Sequence, residues 1–223
     1  MKKYNDKTVI IFDFDGTIYS GPHKFDNVPN MVNKHKRLFL PNISDEEYNS
    51  VCVEFPMWNT VTSGKDIVDV IYDIKERHPE YNISAADFWN WQNESRYDIV
   101  IDWGEVVDID YLYGVCDKFH TYVVSNSSPN HLLYYMEVLG INPNKFMGII
   151  SNRFEEHDRT KEHYYRDIME IEDVPPESIW VIGDSDISDL QPARNLNMNT
   201  LYIDNANDIP HELDKILKSR ENI

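Results

Sequence analysis

Asp13 and Asp15 stand two residues apart at the end of a short apolar run, Val9-Ile10-Ile11-Phe12, with Gly16 and Thr17 directly after them. In a regular strand, alternate residues point the same way, so the two carboxylates would face each other. Like charges that close do not both ionise cheaply unless a cation lies between them or one keeps its proton. The pair therefore asks for a metal, for two separated pKa values, or for both. Gly16 permits a sharp exit from the strand. A plain turn, its Asp side chains bonding nearby amides, could produce the same pattern. An EF-hand loop does not fit, because Gly16 comes too early for it. What separates turn from site is whether the rest of the chain supplies partners.

The elements that would position such partners are legible in the periodicity. The β-branched and aromatic run at Val9–Phe12 suits a strand buried on both faces. Beyond residue 105 the signals alternate. Helical spacing runs from Val107 to Phe119, and Thr121 to Val124 forms a short strand ending at Ser125-Asn126-Ser127-Ser128. Pro129 suits a first helical turn, Leu132 to Leu139 continues that helix, and Gly140 closes it. A strand over Phe146 to Ile150 and a helix over Lys161 to Ile171 follow. Next come a strand over Ser178 to Ile182 that ends at Gly183-Asp184-Ser185-Asp186, a helix over Leu190 to Leu196, a strand over Thr200 to Ile203 and a helix over Pro210 to Ser219. Alternation of this kind predicts an α/β fold, a Rossmann-like doubly wound parallel sheet. Ligands of such sheets bind at the carboxyl ends of the strands. Asp13, Ser125 and Asp184 all fall there.

The stretch from Gly21 to Trp103 breaks the alternation. Ser44-Asp45-Glu46-Glu47 is a capping box opening a helix that Pro56 stops. Thr62 to Arg77 carries Ile67, Val70, Ile71 and Ile74 on one stripe. With Val28 to Leu38 and Ser84 to Arg96 this makes about four helices, an all-helical insert. The expected division is a core of residues 1–20 and 106–223 and a helical unit of residues 21–105.

Composition narrows the partners. A chain of 223 residues with 41% apolar residues, 14 Tyr and 5 Trp has enough for a real core. The net charge of −18 repels nucleic acid phosphates and anionic membranes. The cluster at Lys34-His35-Lys36-Arg37 reads as a solvated helix face. An acidic protein that handles phosphates needs a local cation to invert the field at its site. Polar residues follow Met1-Lys2-Lys3, and no apolar stretch is long enough to span a bilayer, so neither a signal peptide nor a membrane segment is expected. Two distant cysteines, Cys52 and Cys116, form no framework, which suits a reducing cytoplasm.

DFDGT, VVSNS, the isolated Lys161 and GDSDISD now stand together, in that order, from Asp13 to Asp189. They resemble the four ordered motifs of the haloacid dehalogenase superfamily, and the helical insert resembles that family's cap. The resemblance implies that Asp13 is a nucleophile forming an aspartyl phosphate. Asp13, Asp184 and the backbone carbonyl of Asp15 would hold Mg²⁺. Asp15 would be the general acid and base. Ser125 and the Asn126 amide would bind phosphoryl oxygens, and Lys161 would neutralise nucleophile and transferring group. Asp189 would hold Lys161 or a metal-bound water. Asp186 reads as a solvated helix cap.

In that family a carboxylate at the place of Asp15 goes with phosphatases and phosphomutases, whereas dehalogenases, phosphonatases and ATPases carry something else. The expected activity is therefore hydrolysis of a small phosphorylated metabolite, a sugar phosphate or a nucleotide, by a monomer or small homo-oligomer. A sugar phosphomutase is the alternative and needs a second phosphate site. Lys24, Lys34, Lys36, Arg37, Lys65 and Arg96 are the candidates for it. A non-catalytic phospho-acceptor of the receiver type is shorter and lacks both DxDGT and the insert. Trp58, Trp89, Trp91 and Trp103 are either the core of the insert or stacking surfaces for a base or sugar.

Overall fold

The computed structural model describes residues 7–20, 40, 43–55, 64–84, 86, 105–127, 129–151 and 160–220. Strand β1 (Val9–Phe12) is buried at every position. A two-residue strand β2 (Tyr19–Ser20) pairs antiparallel with β3 (Glu105–Val106). The remaining strands are β4 (His120–Ser125), β5 (Gly148–Ser151), β6 (Ile179–Gly183) and β7 (Asn199–Tyr202). They join β1 in a five-stranded sheet of order β5-β4-β1-β6-β7, and each pairing in it is parallel. Among the described residues the α-helices are α1 (Asp45–Glu54), α2 (Gly64–Arg77), α3 (Ile109–Cys116), α4 (Pro129–Val138), α5 (Lys161–Glu172), α6 (Gln191–Asn195) and α7 (Ile209–Arg220).

The apolar run of β1 has no polar alternation because both its faces are covered. Ile10 and Phe12 pack with Leu112 of α3, Tyr135 and Met136 of α4 and Leu213 of α7. Val9 and Ile11, turned the other way, pack with Tyr165 and Ile168 of α5 and Ala193 of α6. Each Val, Leu, Ile, Phe or Met side chain buried among these contributes roughly 1.5–3 kcal/mol. The strand order changes direction around β1. The chain runs outward through β4 and β5, then returns to β6 and β7 on the other side. That is the switch point at which open α/β sheets bind ligands.

The helix expected from Val107 starts later. Asp108 caps α3 by accepting from the Tyr111 amide at 2.9 Å. Val107 instead donates its amide to the Ile18 carbonyl at 2.9 Å, extending the β2–β3 ribbon. Strands of two residues are too short to carry a periodic signal, which is why reading for alternation missed that ribbon.

Between β2 and β3, the capping box forms. The Ser44 amide donates to Glu47 Oε2 at 2.6 Å, and the Glu47 amide donates to Ser44 Oγ at 3.2 Å. Val51 and Phe55 pack with Val70, Ile71 and Ile74 of α2 and with Ile83 in an apolar cluster of their own. The helices expected over 28–38 and 84–96 lie largely or wholly outside the described residues. So do Trp58, Trp89, Trp91, Trp103, Lys24, Lys34, Lys36, Arg37, Arg96 and the side chain of Lys65.

A titratable link joins α1 to the end of α2. His78 Nε2 lies 2.8 Å from Glu54 Oε2, with Arg77 at 3.4 Å from Glu54 Oε1. The Glu54 bond raises the His78 pKa, and the same bond lowers that of Glu54. Since the imidazole binds its proton more tightly when folded, its contribution is complete below its unfolded value and is lost as pH rises through the folded one. The Glu54 contribution is lost in the opposite direction, as pH falls through its folded value. The opening free energy of α1 and α2, read from amide exchange after division by the intrinsic rate at each pH, is therefore expected to fall as pH rises through the folded imidazole value, and His78→Gln to abolish that fall. The groups are solvent-exposed, so the effect is small.

Candidate active site

Asp13 follows β1, Ser125 closes β4 and Asp184 follows β6. Because β1 pairs with β4 and with β6, the three strand ends are adjacent. The Asp13 amide still donates to the Ile182 carbonyl at 2.8 Å, so its side chain projects from the last position held by the sheet.

Lys161 comes from a helix. It is the first residue of α5, whose buried face runs Lys161, Tyr164, Tyr165, Ile168 and Glu172 at helical spacing. The far end of α5 is tied down at the amino ends of β1 and β4. Tyr122 donates its hydroxyl to Glu172 Oε1, while His120 lies 2.8 Å and Lys7 3.6 Å from Glu172 Oε2. Burial alone would raise Glu172, but these partners hold it below its ordinary value. At the near end, Lys161 Nζ donates to Asp13 Oδ1 at 2.5 Å and to Asp189 Oδ1 at 2.6 Å. Thr17 Oγ1 donates to Asp13 Oδ2 at 3.3 Å.

Two glycines make room. A Cβ on Gly16 would stand 2.1 Å from Asp184 Oδ2, and Gly16 has φ +89°. The Asp184 carboxylate therefore rests against the backbone just after Asp15. A Cβ on Gly183 would stand 2.6 Å from the Cβ of Asp189. Asp189 folds back over β6 through a wide π-type turn, in which the Leu190 amide reaches the Ser185 carbonyl at 3.2 Å. Its Oδ2 accepts from the Ser185 amide at 2.9 Å.

The result is a cluster of three carboxylates, Asp13, Asp184 and Asp189, each with an oxygen within 4.8 Å of the others. Burial pushes the Asp13 carboxyl up to about 8, although Lys161 pulls it down. Burial would strip the Lys161 proton, but Asp13 and Asp189 outweigh it and hold the ammonium charged. One ammonium faces three carboxyl groups, two buried and one half-buried, an excess of acid groups over cations. An all-oxygen donor set with that excess fits a hard divalent cation.

Asp15 was expected at this cation through its backbone carbonyl; its side chain turns to hydroxyl groups. Tyr19 OH donates to Oδ1 at 2.6 Å, while Ser127 Oγ at 2.5 Å and Ser125 Oγ at 3.3 Å donate to Oδ2. The Ser127 amide donates to Ser125 Oγ at 3.0 Å. Asn126, between the two serines, is partly exposed. Asp186 points away from the site and pairs with Arg194 at 2.7 Å on the surface. Thr17, Tyr19 and Ser127 were not among the expected site residues. Thr17 had a signal, its place in DFDGT, and Ser127 stands two residues beyond Ser125. Tyr19 had none, since a Tyr after an apolar Ile reads as core.

A family model described as haloacid dehalogenase-like hydrolase matches residues 7–197. The chain belongs to the haloacid dehalogenase-like hydrolases. Solved structures of the family share its fold at low identity. A 2-haloacid dehalogenase from Pseudomonas syringae is 14% identical with a TM-score of 0.57, covering 94% of this chain and 99% of that one. A haloacid dehalogenase-like family hydrolase from Xanthomonas campestris is 14% identical with a TM-score of 0.53, covering 91% and 84%. A haloacid dehalogenase family enzyme from Bacteroides thetaiotaomicron, solved as a magnesium complex, is 15% identical with a TM-score of 0.51, covering 94% and 99%. No curated protein matches the chain. As expected of this hydrolase family's α/β core, the sheet is parallel with helices on both faces. No helix among the described residues is long and apolar enough to cross a membrane.

Proposed function

We propose that this hydrolase is a Mg²⁺-dependent phosphatase for small phosphorylated metabolites. The observation that carries the reading is the Asp15 carboxyl, held by hydroxyls beside the buried Asp13–Lys161 pair. Displacement of halide from carbon needs no proton donor at the leaving group. Cleavage of a phosphate ester needs one, because an alkoxide is a poor leaving group.

Asp13 supplies the nucleophilic oxygen, which forms a bond to phosphorus as the ester P–O bond breaks. Asp15 gives its proton to the departing oxygen. It then takes a proton from the water that attacks the aspartyl phosphate, so inorganic phosphate leaves and Asp13 is restored. Lys161 balances charge on Asp13 and on the transferring group. Ser125 and Asn126 bind phosphoryl oxygens, and Ser125 must turn its one proton from Asp15 to do so. Asp13 and Asp184, with the Asp15 carbonyl, would hold Mg²⁺, and Asp189 stands close enough to join them. Bound there, the ion neutralises phosphoryl and carboxylate charge that would otherwise repel.

In this reading residues 1–20 and 106–223 are the catalytic core, and residues 21–105 are a cap that selects the substrate. The two cysteines are free, in keeping with a cytoplasmic enzyme. The test is phosphate release from sugar phosphates, nucleoside monophosphates and 4-nitrophenyl phosphate, with Mg²⁺ and with a chelator. Release that needs Mg²⁺ is expected, restored when the ion is added back. Release from none of them, with isomerisation of a sugar phosphate primed by its bisphosphate, would replace hydrolase with mutase.

A further inference from the structure

Two separate parts of the chain each hold one oxygen of the Asp15 carboxyl. Tyr19 OH holds Oδ1 from β2 at 2.6 Å, and Ser127 Oγ holds Oδ2 from the loop after β4 at 2.5 Å. A carboxyl gripped by one oxygen can still swing about its side-chain bonds. Gripped by both, its plane is fixed. From this geometry we infer that Tyr19 and Ser127 are positioning residues that hold Asp15 in line with the departing oxygen, an inference that rests on the phosphatase reading.

The Tyr19 hydroxyl has little freedom to be elsewhere. Its residue is only 6% exposed. The ring stacks on Tyr135 of α4 at 5.7 Å and meets the edge of Phe14 at 5.3 Å. Its backbone pairs with Val106 and accepts the Gly16 amide at 2.9 Å. The turn from Asp15 to Tyr19 thus brings a rigid ring over a flexible carboxyl. Ser127 is fixed more locally, by its amide on Ser125 Oγ. A general acid contributes about 10²–10⁴-fold only when it stands within hydrogen-bond reach of the atom it protonates. A carboxyl free to rotate forfeits part of that.

The variants are Tyr19→Phe and Ser127→Ala. Tyr19→Phe keeps the ring and its stacking, so the fold is retained. The probes are an alkyl phosphate cleaved by the wild type and 4-nitrophenyl phosphate. The value of kcat/KM reports the steps up to loss of the leaving group. A nitrophenolate departs without a proton, whereas an alkoxide does not. In each variant kcat/KM is expected to fall about tenfold on the alkyl ester and less than about twofold on the aryl ester. Equal losses on both, or none on either, would overturn the inference, because a merely structural role does not sense the leaving group. Crystal structures of both variants provide an arm independent of turnover. Asp15 is expected to leave the rotamer seen here; Asp15 unmoved in both would overturn the inference. If the wild type cleaves no phosphate ester, the phosphatase reading fails by itself, and this arm alone decides whether the two hydroxyls position Asp15.

Discussion

Asp13→Asn is expected to cut phosphate release by about 10⁴-fold or more while the protein remains folded. The amide is nearly isosteric, but its oxygen is a far weaker nucleophile towards phosphorus. Stability moves the other way. Burial raises the Asp13 carboxyl from 3.8 to about 8. An acid that binds its proton more tightly folded than unfolded costs stability as pH rises between those two values. At neutral pH and without a divalent cation, that cost is present in the wild type and absent from the variant. Lys161 keeps Asp189 at 2.6 Å, so the amide does not strand its charge. Thermal melts in chelator should therefore show Asp13→Asn at least as stable as wild type, with a smaller gain on adding Mg²⁺. Retained turnover would remove Asp13 from the nucleophile's role.

The same ion pair broken from its other side gives the opposite sign. Lys161→Met leaves Asp13 and Asp189 buried without their ammonium. Removing one partner of a buried pair costs about 3–5 kcal/mol, chiefly because a charge is left uncompensated. For a chain of this size that lowers Tm by about 10 °C. Activity falls with it, since in the proposed mechanism Lys161 shares with Mg²⁺ the balancing of charge on Asp13 and on the transferring group. Mg²⁺ should narrow the difference in Tm by supplying positive charge to the same carboxylates. The double variant Asp13→Asn with Lys161→Met should recover part of the loss, a coupling that a double-mutant cycle measures directly. A Tm within about 2 °C of wild type for the single variant would mean that solvent reaches the carboxylates and that the pair is not dry.

Asp13 and Lys161, on which both expectations rest, are marked in the sequence by residue type, order and position. Runs of β-branched residues ending in Asp, Ser or Gly-Asp mark the carboxyl ends of strands. The alternation of strands with helices sets them in one parallel sheet. The capping box at Ser44 and Glu47 is equally local, since both partners lie within one helical turn. Strand order was not legible, because it depends on which helices cover which face.

The amino-acid sequence by itself determined the chemical inventory. It supplied a carboxylate pair on a buried strand, a serine, a lysine and an acidic loop in family order, on elements whose periodicity places the sheet-borne motifs at strand ends. Only the tertiary structure decided how these groups meet. It set Asp184 against Gly16, folded Asp189 back over Gly183 to join the carboxylates, and brought Ser127 to Asp15 across 112 positions of chain. It also converted Tyr19, locally a core residue, into a hydroxyl aimed at a carboxyl. The physical reason is range. Periodicity and capping reflect interactions within a few residues. The orientation of a buried polar group is set by whichever distant elements pack around it, and those elements leave no mark on the local pattern.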